Sequence, residues 1–269
     1  MITSARATSM NSRSPISPAE TGATTTDRLL DGRVILIQPA RGSRAAIDPV
    51  VLAAAVPASA GERVLELGCG TGAAALCLAA RVPGCRVSGI DVQTDLIALA
   101  RQGAVASGLE DVVSFEVGDI LDLPAAIRAE HFDHVMANPP HQRAGGGRVS
   151  PDRAKALAHV EGATDLGAWV RAALAHVKSG GTVTFVHRAD RAGEVAALLA
   201  AAGGDTIVFP LWPKRQGQAA KRALIQARLR GDGRVRQGRG LVLHRLDGAF
   251  SADAEALLRQ AQALAIFAA

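Results

Sequence analysis

The chain has 269 residues, of which 48% are hydrophobic and 20% charged, so it can bury one large core or two small ones and is not disordered as a whole. Its richest apolar runs stop at a proline or a charged residue, short of the roughly 20 residues that a membrane-spanning helix needs. The formal net charge is +5, which favours a polyanionic partner only if the excess basic residues are clustered.

The first 26 residues are rich in Ser, Thr and Ala and carry almost no large apolar side chains, which predicts a disordered tail. Arg6 and Arg13 precede the first acidic residue, as in organelle-targeting peptides, but no apolar segment typical of secretion follows. Residues 27–61 predict a small N-terminal lobe of a hairpin and a helix. Its strand is Val34–Ile37, and its helix is Asp48–Val56, which Pro57 ends.

Residues 62–245 alternate between apolar, strand-like runs and Ala/Leu-rich helical stretches. The predicted strands are Arg63–Leu67, Arg86–Ile90, Val112–Val117, His134–Ala137, Thr182–His187, Thr206–Leu211 and Ala223–Leu229. The predicted helices are Ala73–Arg81, Thr94–Ser107, Pro124–Ala129, Asp152–Val177 and Arg191–Ala202. This alternation predicts an α/β domain with a doubly wound, seven-stranded, mostly parallel sheet covered by helices on both faces.

The last segment, residues 246–269, is predicted to add one amphipathic helix over Ser251–Ala265, so that residues 27–269 form a single domain. The cysteines, Cys69, Cys77 and Cys85, have neither CxxC spacing nor a companion histidine cluster. A disulfide framework and a zinc site therefore lack support, and a reducing, cytoplasmic setting with no metal is expected.

In such a sheet, ligands bind beyond the carboxyl ends of the strands, so functional residues should directly follow each strand. After the first core strand come Gly68, Gly70 and Gly72, which allow a tight turn and close approach of a ligand to the backbone. The glycine spacing alone does not distinguish an NAD enzyme from an adenosylmethionine enzyme. Glu66 favours an adenosylmethionine enzyme, because a carboxylate at this position attracts a cationic ligand and repels a pyrophosphate.

Two further carboxylates follow the next two strands. Asp91 stands 23 residues after Gly68, a spacing at which a carboxylate can accept both hydroxyls of a ribose. Asp119 follows the third strand and could accept the amino group of an adenine, the alternative being an aspartate that only stabilises its own turn.

The fourth strand ends in Asn138-Pro139-Pro140-His141. The side-chain oxygen of Asn138 and the carbonyl oxygen of Pro139 can converge on one point, because the two prolines hold the backbone rigidly. Two acceptors aimed at an sp² amine stabilise the positive charge that develops on its nitrogen during attack on a methyl sulfonium. The segment therefore indicates methylation of an amine or amide nitrogen.

The basic residues are clustered near the C-terminus. Residues 210–245 contain ten Lys or Arg and one Asp, a net charge of +9, so the rest of the chain carries −4. This segment predicts phosphate binding by RNA-contacting residues that include Lys214, Arg215, Lys221 and Arg222, the alternative being a solvated surface.

These motifs together resemble the class I S-adenosylmethionine-dependent methyltransferases that carry an Asn-Pro-Pro-aromatic motif. More narrowly, the chain resembles the bacterial tRNA(Val) adenine-N6 methyltransferase family, which modifies the adenine beside the anticodon. The narrower match is carried by segments outside the core motifs. They are residues 27–34, 38–39, 47–53, 212–214, 220–222 and 241–244.

The resemblance implies a Rossmann-like fold and S-adenosylmethionine bound at Glu66, Gly68, Gly70, Gly72, Asp91, Asp119 and Asn138. It implies catalysis at Asn138, Pro139, Pro140 and His141, with RNA, most specifically tRNA, as the partner. His141 departs from the family pattern, which has Tyr or Phe there to stack on the flipped base; a neutral imidazole stacks with less area. By family position only, Asp48 is expected to help close the cofactor site.

Three other interpretations remain open at this point. A protein-glutamine methyltransferase of the release-factor type uses the same tetrapeptide on an amide nitrogen and predicts no salt-sensitive RNA binding. A catalytically silent RNA-binding module, with His141 as the lesion, predicts RNA binding without methyl transfer. An NAD oxidoreductase is disfavoured by Glu66 and by the Asn-Pro-Pro motif.

Overall fold

A computed structural model describes residues 23–41, 44, 47–140, 165–214 and 219–267. The strands are β1 Thr24–Leu29, β2 Val34–Pro39, β3 Arg63–Leu67, β4 Arg86–Asp91, β5 Val113–Val117, β6 Phe132–Ala137, β7 Val177–Arg188, β8 Asp205–Trp212, β9 Arg222–Arg228, β10 Val235–Gln237 and β11 Leu241–Val242. The helices are α1 Asp48–Ala55, α2 Ala73–Arg81, α3 Thr94–Ser107, α4 Ala125–Arg128, α5 Leu166–His176, α6 Ala192–Ala201 and α7 Ala252–Leu258. Within these ranges, no helix is both long enough and apolar enough to cross a bilayer.

The main sheet has the strand order β10-β8-β9-β7-β6-β3-β4-β5, and β11 also pairs with β8. Strand β9 runs antiparallel to β7 and β8, and the other pairs are parallel, which confirms the predicted mostly parallel sheet. The prediction of seven strands is wrong by two, because β10 and β11 were not expected. Val235–Gln237, where all three residues are exposed, carries no apolar pattern that would have indicated a strand.

Helices cover both faces of this sheet. On one face, an apolar cluster joins α1, α2, α3 and α7 to side chains such as Val64 of β3. On the other face, a second cluster joins α4, α5 and α6 to Leu65 and Leu67 of the same strand. Both sides of β3 are buried, which explains why this strand is apolar without strict alternation.

The N-terminal hairpin corrects one prediction. Strand β1 pairs antiparallel with β2 from Thr24 opposite Pro39 to Leu29 opposite Val34. The expected disordered tail is therefore wrong for Thr24–Thr26, and residues 1–22 lie outside the described ranges. β-branched threonines favour extended backbone, and β2 supplies a pairing partner that the tail composition did not reveal.

The C-terminal segment also differs from its prediction. Helix α7 ends at Leu258, whereas the expected helix extended to Ala265. Ala261 has a positive φ of 59°, and the following segment returns to α1, where the Leu264 N–H donates to the Ala54 carbonyl at 2.8 Å. This tertiary contact outweighs the helix propensity of the Ala/Gln-rich sequence.

Candidate functional site

The register of the central strands brings the predicted segments together at one edge of the sheet, which we call the carboxyl edge. Leu67 of β3 lies opposite both Ala137 of β6 and Ile90 of β4, and Asp91 lies opposite Val117 of β5. The residues that follow these four strands are therefore neighbours, spaced about 4.8 Å from strand to strand. The chain order reverses between β3 and β6, which makes this edge the topological switch point.

Asp91 holds the glycine-rich turn in place. The Gly70 N–H donates to its Oδ2 and the Gln93 N–H donates to its Oδ1, both at 2.9 Å, and the side chain is buried. Each carboxylate oxygen can accept more than one hydrogen bond, so Asp91 can still accept hydroxyl donors. The predicted ribose-binding carboxylate therefore lies directly against the predicted turn.

The three glycines of this turn have different structural roles. A Cβ on Gly70 would meet no described atom within 4 Å, so the space above Gly70 is open. A Cβ on Gly68 would lie 2.4 Å from the ring of Trp169, and one on Gly72 would lie 2.4 Å from the ring of Phe115. Gly68 and Gly72 are thus required by packing beneath the turn, whereas Gly70 leaves room for a ligand.

Three exposed apolar side chains flank the carboxylates after β4 and β5, and sequence reasoning missed them. Val92 is 56% exposed, Leu121 59% and Val117 43%. Apolar side chains left in solvent at one edge of a sheet can offer a surface to a flat apolar ligand such as a nucleobase. The signal in the sequence was an apolar residue directly after the polar strand end, as at Asp91-Val92.

Asp119 is exposed at the far side of this edge. Its Oδ1 accepts a hydrogen bond from the Leu121 N–H at 2.9 Å, which is the turn-stabilising role left open by the sequence. The same turn presents Leu121, so Asp119 orients one of the three apolar side chains as well as its own carboxylate.

Glu66 is buried beneath the turn. Its Oε2 accepts a hydrogen bond from the Ala75 N–H in the first turn of α2 at 2.8 Å, a capping contact that Gly72 at the N-cap cannot supply. Burial, with a smaller contribution from the negative charge of Asp91, raises the pKa of Glu66 to about 8. Without a ligand, Glu66 is therefore largely protonated at neutral pH, and its expected negative charge is weakened.

Asn138 follows β6 at the switch point, next to Gly68. Its Oδ1 is buried and accepts no hydrogen bond within the described part of the chain. A buried acceptor without a donor is costly, and such groups are uncommon unless a ligand or water completes them. This oxygen is the polar atom best placed to receive an N–H group of a ligand.

The two prolines after Asn138 differ in exposure, and a histidine contacts the second. Pro139 is buried and Pro140 is half-buried. The Nε2 atom of the fully buried His187, at the end of β7, lies 3.2 Å from the Pro140 carbonyl oxygen. His141, the fourth residue of the motif, lies outside the described ranges.

The basic segment does not form one surface. Because β9 is antiparallel to β8, Lys214 after β8 and Lys221 before β9 both lie at the carboxyl edge, and both are exposed. Arg228 at the other end of β9 lies about 20 Å away, at what we call the amino edge. Phosphate binding by Lys214 and Lys221 stays a prediction, and it concerns the carboxyl edge only.

Arg222, predicted to contact RNA, forms an ion pair within the fold. Its Nε lies 2.8 Å from the Asp48 Oδ2, and the two side chains are 32% and 15% exposed. This ion pair joins the start of β9 to the start of α1, so Arg222 is not simply a solvated RNA contact. Arg215 lies outside the described ranges.

Within the described ranges, no group of three or more His, Cys, Asp or Glu side chains is arranged to hold a metal ion. His134 illustrates this, since its ring nitrogens contact Thr182 Oγ1 at 2.8 Å and Glu62 Oε2 at 3.0 Å.

Comparisons with known proteins agree with this geometry. A family model described as a methyltransferase domain matches residues 58–186. The chain is 30% identical over 205 residues to a tRNA1(Val) (adenine(37)-N6)-methyltransferase of Aeromonas salmonicida, covering 76% of this chain and 84% of that protein. It is 30% identical over 153 residues to a release factor glutamine methyltransferase of Chlorobaculum tepidum, covering 54% of this chain and 52% of that protein.

A solved structure has the same fold. A protein of Agrobacterium tumefaciens, described as a predicted O-methyltransferase, superposes with a TM-score of 0.67 at 23% identity. The superposition covers 82% of this chain and all of that one. The glycine-rich turn and the Asn-Pro-Pro segment therefore belong to a fold that this chain shares with that structure.

Proposed function

Because the chain belongs to the class I S-adenosylmethionine-dependent methyltransferases, we propose that it methylates the exocyclic N6 amine of an adenine in RNA, in the anticodon loop of tRNA(Val). The observation that carries this proposal is the buried Oδ1 of Asn138 at the switch point, which accepts no hydrogen bond from any described residue. A neutral hydrogen-bond acceptor in that position suits the N–H group of an amine and does not suit an anionic group.

The residues at the carboxyl edge fit the cofactor. Asp91 offers acceptor capacity for ribose hydroxyls, the space over Gly70 accommodates a ligand close to the backbone, and Val92 and Leu121 offer apolar surface to a purine. When bound, S-adenosylmethionine supplies an electrophilic methyl group on a positively charged sulfur. A nearby cation would also favour the ionised form of Glu66.

The chemistry assigned to this chain is hydrogen-bond acceptance. An exocyclic amine is a poor nucleophile, because its lone pair is delocalised into the ring. Asn138 Oδ1 accepts a hydrogen bond from one N–H of the amine, and the Pro139 carbonyl oxygen accepts a hydrogen bond from the other. Two fixed acceptors stabilise the positive charge that develops on the nitrogen, so no side chain has to act as a strong base.

Two observations favour RNA as the substrate over a protein amide. Lys214 and Lys221 are exposed at the carboxyl edge, where phosphates beside an extruded adenine would lie. The match to the tRNA-modifying relative extends over 76% of the chain, whereas the match to the release-factor enzyme extends over 54%. An anticodon-loop adenine is unpaired, so its extrusion into a pocket costs little.

The test is transfer of labelled methyl from S-adenosylmethionine to total tRNA, total rRNA and release factor in parallel, followed by nucleoside analysis. Labelled N6-methyladenosine in tRNA is the expected result. Asn138→Ala should remove turnover while the dissociation constant of S-adenosylmethionine stays within about twofold. Turnover unchanged in this variant contradicts the assigned role of Asn138.

The other outcomes are equally informative. Label confined to release-factor glutamine would replace the proposed substrate with a protein amide and leave the role of Asn138 intact. Binding of RNA and cofactor without any methyl transfer would indicate a silent RNA-binding module. Purified tRNA(Val) with its adenine replaced by guanine at the expected position serves as the negative control.

A further inference from the structure

His187 makes a contact that neither the motif nor the proposed function assigns. The residue is fully buried near the end of β7, and its Nε2 lies 3.2 Å from the carbonyl oxygen of Pro140. It is thus in direct contact with the segment that presents Asn138. In the backbone ladder, His187 lies opposite Ala223 of β9.

The Asn-Pro-Pro segment needs such an anchor because its backbone cannot extend the sheet. The parallel ladder between β6 and β7 ends at Ala137 opposite Phe185, although β7 continues to Arg188. Prolines have no N–H group, so positions 139 and 140 cannot donate to β7. Only their carbonyls remain for attachment, and the Pro140 carbonyl is the one that His187 reaches.

The precision of this segment matters for the reaction. Acceptors act on the developing charge only when they are held within about 0.5 Å of the productive geometry. A displacement of about 1 Å can reduce the rate by roughly 100-fold. A buried side chain that fixes the second proline also fixes the carbonyl of the first and the direction of Asn138.

We propose that His187 is a positioning residue, which donates its Nε2–H to the Pro140 carbonyl and thereby holds Asn138 and the Pro139 carbonyl in their catalytic geometry. This inference rests on the proposed role of Asn138. It also determines the tautomer, because a carbonyl oxygen only accepts hydrogen bonds. The Nε2 atom of His187 therefore carries the hydrogen.

The first test compares His187→Leu with His187→Gln. Leucine keeps the apolar volume without the donor, whereas the glutamine amide places a nitrogen donor near the position of Nε2. Leucine should lower kcat about 100-fold and change the KM for RNA and the dissociation constant of S-adenosylmethionine by less than threefold. Glutamine should restore kcat to within about tenfold of the wild type.

The result that overturns the proposal is an unchanged kcat in His187→Leu. Equal losses in both variants, with matching losses of Tm and cofactor binding, would also overturn it, since they would show a role in folding alone. His134→Gln is the matched control: this buried histidine contacts Thr182 and Glu62 at the amino edge, so its kcat should stay at the wild-type value.

The second test needs no methyl acceptor and separates this proposal from the proposed function. Nitrogen-15 NMR of the histidine rings of the full chain, assigned by comparison with His187→Gln, should show the Nε2–H tautomer for His187. The Nδ1–H tautomer would refute the hydrogen bond whatever the substrate is. Conversely, wild-type turnover in Asn138→Ala would refute the proposed function even if the Nε2–H tautomer is observed.

Discussion

At the scale of single residues, the site contains polar side chains that are buried although burial removes their hydration. Glu66 is 3% exposed and accepts a hydrogen bond from Ala75, yet its pKa is raised to about 8. The loss of hydration on burial outweighs the stabilising backbone donor. A carboxyl in this state links protonation to folding.

Glu66→Gln should make the stability of the protein less dependent on pH. Below pH 4.5, the Glu66 carboxyl is protonated in both the folded and the unfolded chain. Between pH 4.5 and about pH 8, it is protonated only in the folded chain. Rising pH in this range therefore lowers the free energy of unfolding of the wild type. The free energy of unfolding of Glu66→Gln, relative to the wild type, should therefore rise by up to about 1.4 kcal/mol per pH unit between pH 5 and pH 8. Urea denaturation at unit pH intervals measures it.

The matched control is Glu110→Gln, which changes an exposed carboxylate. Its free energy of unfolding should follow the wild-type pH dependence throughout. If the curves for Glu66→Gln and the wild type run parallel, Glu66 is ionised in the folded protein and its assigned protonation state is wrong.

Alanine at Gly68 and at Gly70 should have different effects, although both residues have positive φ values of 66° and 55°. A left-handed conformation costs alanine roughly 1–2 kcal/mol at either position. Gly68→Ala adds a clash with Trp169 and should destabilise the fold by a further 1–3 kcal/mol, with a shift of tryptophan emission. Gly70→Ala should mainly weaken S-adenosylmethionine binding, by about tenfold in titration calorimetry.

Gly61→Ala controls for the backbone cost. Gly61 has a φ of 86°, has no described atom within 4 Å of its Cβ position, and lies before β3 at the amino edge. It should lose stability as Gly70→Ala does while keeping its cofactor affinity. Equal loss of affinity in both variants would show that the space above Gly70 is not part of the binding site.

The sequence indicated candidate polar residues for the site but no apolar ones. Glycines and a carboxylate at fixed spacing are rare outside ligand sites, so Gly70 and Asp91 were predictable. Val92 and Leu121 were not, because an exposed valine or leucine looks in sequence like one that belongs to the core. The turn role of Asp119 depends on the direction of the chain after β5, which only the fold determines.

At the scale of elements, the ion pair of Asp48 with Arg222 joins two segments 174 residues apart. Arg222 begins β9 and Asp48 begins α1, and the pair is only partly exposed. It connects the helix of the N-terminal lobe to the strand that Lys221 precedes. A charge change at Arg222 therefore perturbs the fold as well as any RNA contact.

A double-mutant cycle of Asp48→Asn and Arg222→Gln should give a coupling energy of about 1 kcal/mol in urea denaturation, at the upper end of the range for partly exposed pairs. The more exposed pair of Arg234 and Asp232, with side chains 75% and 68% exposed, is the comparison and should give a coupling near zero. Equal couplings in the two cycles would show that burial does not strengthen the Asp48 pair.

The bounds of a helix were predictable where its apolar repeat extends over several turns and a neighbouring residue caps its end. The limits of α2 and α3 agree with their predictions at both ends, since the apolar face of each helix and a neighbouring glycine define them. The strand β1 and the end of α7 were not predictable, because β2 and α1, which are distant in sequence, decide them. Long-range pairing has no local signature in a single sequence.

At the scale of the whole molecule, the fold divides the basic residues between two edges of the sheet. Lys214 and Lys221 lie at the carboxyl edge, which also carries Asn138, whereas Arg230 and Arg236 lie toward the amino edge with β10. Some of this charge is neutralised by acids outside the segment, since Arg222 pairs with Asp48 and Arg245 with Asp247. The net charge of the segment therefore overstates the field at the site.

This division predicts which charges set the salt dependence of RNA binding. Lys214→Gln with Lys221→Gln should weaken tRNA binding and reduce the slope of log K against log salt concentration by roughly one per lysine. Arg230→Gln with Arg236→Gln removes the same charge about 20 Å away and should leave the slope unchanged. Filter binding at several salt concentrations measures both. An equal reduction by the two pairs of substitutions would mean that the RNA contacts the amino edge as well. An unchanged slope in the lysine variant would mean that these lysines are solvated surface residues without an RNA contact.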